Sequence, residues 1–159
     1  VMTGIADYAA LAKAYDTILA NVKTHHPDAQ IDGILVQEMI TGGVEALIGM
    51  KRDATFGPMI AVGPGGTLVE LLGDVQMAPA PLSAGQAETL IDNSLLGKLL
   101  TGYRGGAMMD KAALIEAIVN VSWLVADDDT ITELDLNPVM VRPKGKGCVA
   151  VDFKFALIS

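Results

Sequence analysis

Ile131-Thr132-Glu133-Leu134-Asp135-Leu136-Asn137-Pro138-Val139-Met140-Val141-Arg142, with the turn Lys144-Gly145-Lys146-Gly147 and the return Cys148-Val149-Ala150-Val151, decides how this chain is read. Apolar and polar residues alternate over 131–142, which predicts a strand. The glycine-spaced turn and the second apolar run then predict a β-hairpin. Residues two apart on a strand share a face, so Glu133, Asp135 and Asn137 project together while Leu134, Leu136 and Val139 enter the core. An acid and an amide at this spacing suit a hard cation such as Mg²⁺, which takes one or two protein oxygens and completes its octahedron with phosphate and water. Asp152, at the end of the returning strand, is the third oxygen donor. Pro138 has no N–H for the ladder, which fits a shaped site better than a regular edge. The same pattern also serves a solvent-facing edge strand, and the residues alone leave both readings open.

Working back from the hairpin, Asp110 is placed to cap a helix over Lys111–Ala126, in which Leu114, Ile118, Val121 and Val125 share a face; Asp127-Asp128-Asp129 ends it. Ser83 with Gln86 forms a capping-box pattern for a helix to about Asn93, and a short helical piece over Ser94–Leu100 stops at Gly102. Further back, Ile34-Leu35-Val36 predicts a buried strand, Glu45–Arg52 a second and Pro58–Val62 a third, together an antiparallel meander. Gly63-Pro64-Gly65-Gly66 is a loop leading into Thr67–Leu72, and a polar, proline-rich passage covers Gly73–Pro81. The N-terminal stretch from Ile5 to His25 spaces Tyr8, Leu11, Tyr15, Ile18 and Val22 as an amphipathic helix, with His25 and His26 at its negative end. The order points to an α+β layer, helices covering one face of a mainly antiparallel sheet, in one unit without internal repeats.

Composition narrows the function. The chain has 159 residues, 51% hydrophobic and 19% charged, enough for a packed core. A net charge of −8 argues against a nucleic-acid surface. The longest strongly apolar helical stretch, Ala117–Ala126, falls short of the ~20 residues of a bilayer span, so no membrane is expected as a partner. One cysteine, Cys148, excludes an internal disulfide framework and fits a cytoplasmic setting. No secretory signal is expected from the opening VMTGIADYAALAKAY, and Val1 in first position suggests numbering that starts within a longer chain.

Other chemistry-bearing stretches are weaker. In Val36-Gln37-Glu38-Met39-Ile40-Thr41-Gly42-Gly43, a strand leaving its sheet at Gln37 would expose peptide groups to an adenine edge, with Met39 and Ile40 as apolar cover and Glu45 within reach of ribose hydroxyls. An ordinary turn with two solvated glutamates fits equally well. Gly63–Gly66 and Gly102-Tyr103-Arg104-Gly105-Gly106 match neither known phosphate fingerprint. Lys51, Arg52 and Arg104 are the local cations for an anionic ligand. Ser83, Cys148 and the two histidines lack partners for nucleophilic catalysis.

The ordered series VQEMITGGVE (36–45), IGMKRDATFGP (48–58), VGPGG (62–66), GYRG (102–105) and ELDLNPVMVRPKGKGCVAVD (133–152) resembles the ATP-grasp domain of NDP-forming acyl-CoA synthetases, also called ADP-forming acetate–CoA ligases. The β-subunit of succinyl-CoA synthetase is a more distant likeness. The resemblance implies an ATP-grasp fold: residues 1–32 a remnant of the N-terminal subdomain with its helix, 33–159 the hinge and C-terminal subdomain. It implies ATP or ADP as ligand, with Gln37, Glu38, Met39 and Ile40 beside adenine, Glu45 on the ribose, and Arg52, Gly65 and Gly66 among the nucleotide contacts. Asp135, Asn137 and Asp152 then hold Mg²⁺. The implied reaction is Mg-dependent phosphoryl transfer between a phosphohistidine and ADP or ATP, coupled to joining an acid to CoA. CoA and the phosphohistidine belong to other domains or subunits, so the chain alone is expected to show little complete ligase activity. By the resemblance, the part of the family domain that carries a phosphate loop is expected ahead of Ile5, outside these 159 residues, and exposed apolar surface gives an expectation of homo-oligomers. An alternative is a non-catalytic regulatory domain of the kind found in synthetase-like protein lysine acetyltransferases.

Overall fold

The computed structural model describes residues 1–66, 73–102 and 105–158, and the chain divides into two compact units, Val1–Thr41 and Gly42–Ser159. The first unit holds one helix, α1 (Tyr8–His25), whose N-cap Asp7 accepts the Ala10 N–H at 2.8 Å. Of its predicted apolar stripe, Leu11, Ile18 and Val22 are half-buried and Tyr8 and Tyr15 exposed; Ala14 is its buried residue. His25 lies in the last turn, its Nδ1 2.8 Å from the Asn21 carbonyl oxygen, and His26 is the C-cap, both at the helix end where they were expected. The buried strand expected at Ile34-Leu35-Val36 does not form. These residues have no regular structure, and Leu35 and Val36 are 80% and 65% exposed. Three apolar residues without a ladder partner cannot satisfy their peptide groups as a strand, whatever their β-propensity.

The second unit is a six-stranded sheet with helices on one face. Its strands are β1 (Val44–Asp53), β2 (Gly57–Pro64), β3 (Gln76–Pro79), β4 (Ile131–Val141), β5 (Cys148–Ala150) and β6 (Phe153–Leu157), and every pairing between them is antiparallel. The order is β3-β2-β1-β4-β5, with β6 beside the other end of β4. Thus the meander is β1-β2-β3, and its third strand lies inside the proline-rich passage that the sequence leaves irregular. Residues 67–72, which precede it, lie outside the described residues.

Three helices follow the capping signals. In α2 (Ala84–Asp92) Ser83 and Gln86 form the reciprocal capping box. Helix α3 (Leu95–Leu100) is short, and α4 (Lys111–Asp127) is capped by Asp110. Even-numbered positions of β1, Ala46, Ile48 and Met50, are buried with Ile60 and Val62 of β2 and Leu134, Val139 and Val141 of β4. They pack under Leu90, Ile91, Leu96, Leu100, Leu114, Ile118 and Val125 of the helices. Leu136 is only partly buried against this core. The one deeply buried hydroxyl in α4, on Ser122, is satisfied twice: it donates to the Val119 carbonyl and accepts the Leu82 N–H. Asp110 also accepts the Gly147 N–H at 2.8 Å, pinning the hairpin turn to the start of α4; this bond holds its carboxyl below the ordinary aspartate range.

Arg52 closes the other end. Its Nε donates to the Ile131 carbonyl at 2.8 Å, and its Nη2 to the carbonyls of Val125 (2.8 Å) and Asp128 (2.7 Å) at the C-terminus of α4. A guanidinium there satisfies orphan carbonyls and meets the negative end of the helix. The additional ion pair with Asp129, at 3.2 Å, involves a solvated carboxylate and adds little. Arg52→Met is expected to lower stability by about 2–4 kcal/mol through three lost charge-assisted bonds and the carbonyls left unpaired, measured by denaturant unfolding.

Candidate functional site

The face of the sheet opposite the helices carries the polar residues that alternation assigned to it. Asp135 lies in the middle of β4, which is hydrogen-bonded on both sides: Asp135 pairs with Gly49 of β1 and with Lys154 of β6. Glycine at position 49 puts no side chain beside the carboxylate. Among the described residues, Asp135 Oδ1 is buried and has no hydrogen-bond partner. Burial, then repulsion from Glu133 and Asp152 against the pull of Lys154, raises the Asp135 carboxyl above its ordinary range.

Asn137 is two residues along. Its Oδ1 accepts the Gly66 N–H at 2.9 Å, tying β4 to the loop that follows β2. One lone pair of that oxygen stays free for a second partner. Beyond Asn137 the ladder does not stop at Pro138. β4 runs on to Val141 while the pairing with β1 shifts register between Ala46 and Ile48, which accommodates the residue without an N–H. The Asn137–Pro138 peptide is cis.

The glycine loop is shaped by close approach. The Gly65 N–H donates to the Glu45 carbonyl at 2.8 Å, and a Cβ on Gly65 would meet the Ala46 backbone at 2.6–2.8 Å. Gly66 adopts φ +62°, and a Cβ there would lie 1.7 Å from Glu45 Oε2. The Glu45 carboxylate therefore rests over the Gly66 Cα, while the Gly66 N–H is bound by Asn137. Glu45, Gly65, Gly66, Asn137 and Asp135 thus converge within the second unit.

The remaining sequence-derived residues fall as follows. Asp152 lies between β5 and β6, exposed, with Oδ1 accepting the N–H of its neighbour Phe153 at 2.8 Å. Because Leu136 pairs with Phe153, Asn137 and Asp152 are the next positions along the two strands, which explains why Asp152 acts on Asp135. Arg52, expected as a nucleotide contact, has its guanidinium committed to the carbonyls around the end of α4. Gln37, Glu38 and Met39 are exposed and Ile40 half-buried in an irregular segment of the first unit. Arg104 and Tyr103 lie outside the described residues. Sequence reading stopped at Asp152 and missed β6. The signal was there, in the apolar alternation of Phe153, Phe155 and Leu157 around Lys154.

An orphaned carboxylate oxygen, a half-used amide oxygen and a nearby second acid fit an octahedral divalent cation that brings phosphate and water of its own. Among the described residues no cluster of three or more His, Cys, Asp or Glu side chains is placed to hold a metal ion by itself. No helix among them is long and apolar enough to cross a membrane.

Residues 1–157 match a family model described as ATP-grasp domain. The chain is 41% identical over 157 residues to the ADP-forming 4-hydroxybutyrate–CoA ligase of Nitrosopumilus maritimus, covering 99% of this chain and 22% of the ligase. It is 38% identical over 158 residues to the β subunit of ADP-forming acetate–CoA ligase II of Pyrococcus furiosus, covering 99% and 67% respectively. Among solved structures it is similar to the dinucleotide forming acetyl-coenzyme A synthetase 1 of Ca. Korarchaeum cryptofilum. The form complexed with coenzyme A and Mg-AMPPCP, its phosphohistidine segment pointing towards the nucleotide binding site, has TM-score 0.86 and 37% identity, over 99% of this chain and 67% of that one. The form with coenzyme A and Ca-AMPCP has TM-score 0.88 and 43% identity over 94% and 65%. The chain spans about a fifth of the single-chain ligase, 22% of its length.

Two predictions test this geometry. Gly66→Ala should cost more than the ~1–2 kcal/mol of a left-handed alanine, and the excess should vanish in a Glu45→Ala background, measured as a double-mutant cycle by urea unfolding. Because burial raises the Asp135 carboxyl, its contribution to stability is complete below the ordinary aspartate range and is lost as pH rises through the raised value. Without divalent cations, Asp135→Asn should therefore melt higher than the parent at pH 7, by a margin that disappears near pH 3.

Proposed function

The chain belongs to the ATP-grasp domain family, and on that premise we propose that it is the nucleotide-binding module of an NDP-forming acyl-CoA synthetase, acting in phosphoryl transfer between a phosphohistidine and ADP or ATP. The observation that carries this reading is the buried, unpartnered Oδ1 of Asp135, held at the centre of a sheet face beside Asn137 and Asp152. A half-buried carboxylate with one oxygen shielded and unpartnered among the described residues costs some stability unless something binds it, which favours a ligand-binding role over surface decoration. The relatives named as CoA ligases, and the solved synthetase complexed with a Mg-nucleotide and coenzyme A, support a ligase over the acetyltransferase-associated alternative.

In this reading Asp135 and Asp152 supply carboxylate oxygens, and Asn137 its amide oxygen, to Mg²⁺. When bound, the ion offsets charge on the nucleotide phosphates. The chain's own residues provide the frame. β1 and β6 clamp β4, so the backbone that carries Asp135 is fixed before ligand arrives. The Gly66–Asn137 bond holds the loop against β4, and the bare Cα atoms of Gly65 and Gly66 let that loop lie directly against the Ala46 backbone and the Glu45 carboxylate. Glu45, over Gly66, is placed to accept ribose hydroxyls. Coenzyme A and the phosphohistidine would come from other domains or subunits of the synthetase.

Calorimetric titration with ADP, with and without Mg²⁺, tests the proposal. Binding should depend on Mg²⁺ and weaken at least about tenfold in Asp135→Ala, the loss of one charged ligand. ADP affinity indifferent to both Mg²⁺ and the substitution would sink it.

A further inference from the structure

On the same face, and resting on the reading above, one cation is unassigned. Lys154 stands opposite Asp135 in the β4–β6 ladder, two residues after Asp152. Its Nζ is 3.4 Å from Glu133 Oε1, a long contact between side chains 71% and 41% exposed, which holds the lysine only weakly. The strand around it is well fixed. The Phe153 N–H is bound by Asp152, and the rings of Phe153 and Phe155, on the opposite side of β6, meet edge to face at 5.6 Å.

The charge balance demands such a group. Glu133, Asp135 and Asp152 place three carboxylates where the proposed ligand brings further negative charge, and one divalent cation does not offset both. Among the described residues, Arg52 is committed to the end of α4. Arg142, Lys144 and Lys146 lie past the far end of β4, at the turn held by Asp110. Lys51 pairs opposite Glu133, two residues further along β4 from Asn137 than Asp135, the partner of Lys154. Lysine, a point charge with three donors on a long stem, suits terminal phosphate oxygens that have no fixed orientation.

We propose that Lys154 is a phosphate-binding residue of this site: its ammonium rests on Glu133 in the free protein and moves to a terminal phosphate oxygen of the bound nucleotide. Glu133 is then a positioning residue that keeps the lysine over the site and competes with phosphate for it.

The test is titration of the full chain with Mg-ADP and with AMP, which lacks the terminal phosphate, in the parent and in Lys154→Gln, Lys154→Arg and Glu133→Gln, with melting temperatures recorded for each. Lys154→Gln should weaken Mg-ADP binding about tenfold or more, move AMP affinity less than about threefold, and be largely rescued by Lys154→Arg. Glu133→Gln should bind Mg-ADP at least as tightly as the parent. Equal Mg-ADP affinity in the parent and Lys154→Gln, or a proportionate loss of ADP and AMP, overturns the assignment while leaving the nucleotide reading in place. A parent chain without Mg-dependent ADP binding overturns both.

Discussion

The ladder between β1 and β4, running from Val44 opposite Val141 to Lys51 opposite Glu133, is the constraint on which the second unit depends. It places two strands distant in sequence side by side at the centre of the sheet, and the side-chain period of two then divides their residues between a helix-covered face and an open one. A slip by one residue would bury Asp135 and Glu133 under α4 and expose Leu134. Burial of Ile48, Met50, Leu134, Val139 and Val141 therefore specifies the position of the acids as strictly as any contact the acids make. The hydrophobic effect here sets the geometry of a polar site.

Arg52 and Asp110 work at opposite ends of the same helix to the same purpose. Arg52 ties the C-terminus of α4 to the start of β4, and Asp110 ties its N-terminus to the turn after β4. The helix thus acts as a brace along the strand that carries Asp135 and Asn137. The bonds that hold the brace occupy the Nε and Nη2 donors of Arg52, so its guanidinium is anchored at the helix end.

How far the reading of residues carried can be judged element by element. The capping signals Ser83–Gln86 and Asp110, the apolar face of α4 and the β4–β5 hairpin were legible because each rests on contacts within a few residues. The shared face of Glu133, Asp135 and Asn137 was legible from the strand period, and the family from the order and spacing of five motifs. Ile34–Val36 misled because branched apolar residues describe a strand's preference but not the presence of a neighbour to pair with. β3 was hidden by Pro79, which an edge strand paired with β2 alone tolerates at its end, and β6 by its short length after the acid at position 152.

The amino-acid sequence by itself determined the α+β layer, the family and which side chains share a strand face, since these follow from local periodicity and from the order of motifs. Only the tertiary structure decided that Asp135 keeps a dry, unpartnered oxygen, that Glu45 and Asn137 meet across Gly66, that Arg52 is spent on a helix end, and that Lys154 stands opposite Asp135. Each of these depends on pairing between segments separated by twenty to ninety positions. Strand register is set by the burial of the whole core at once, and no single stretch of sequence carries that information.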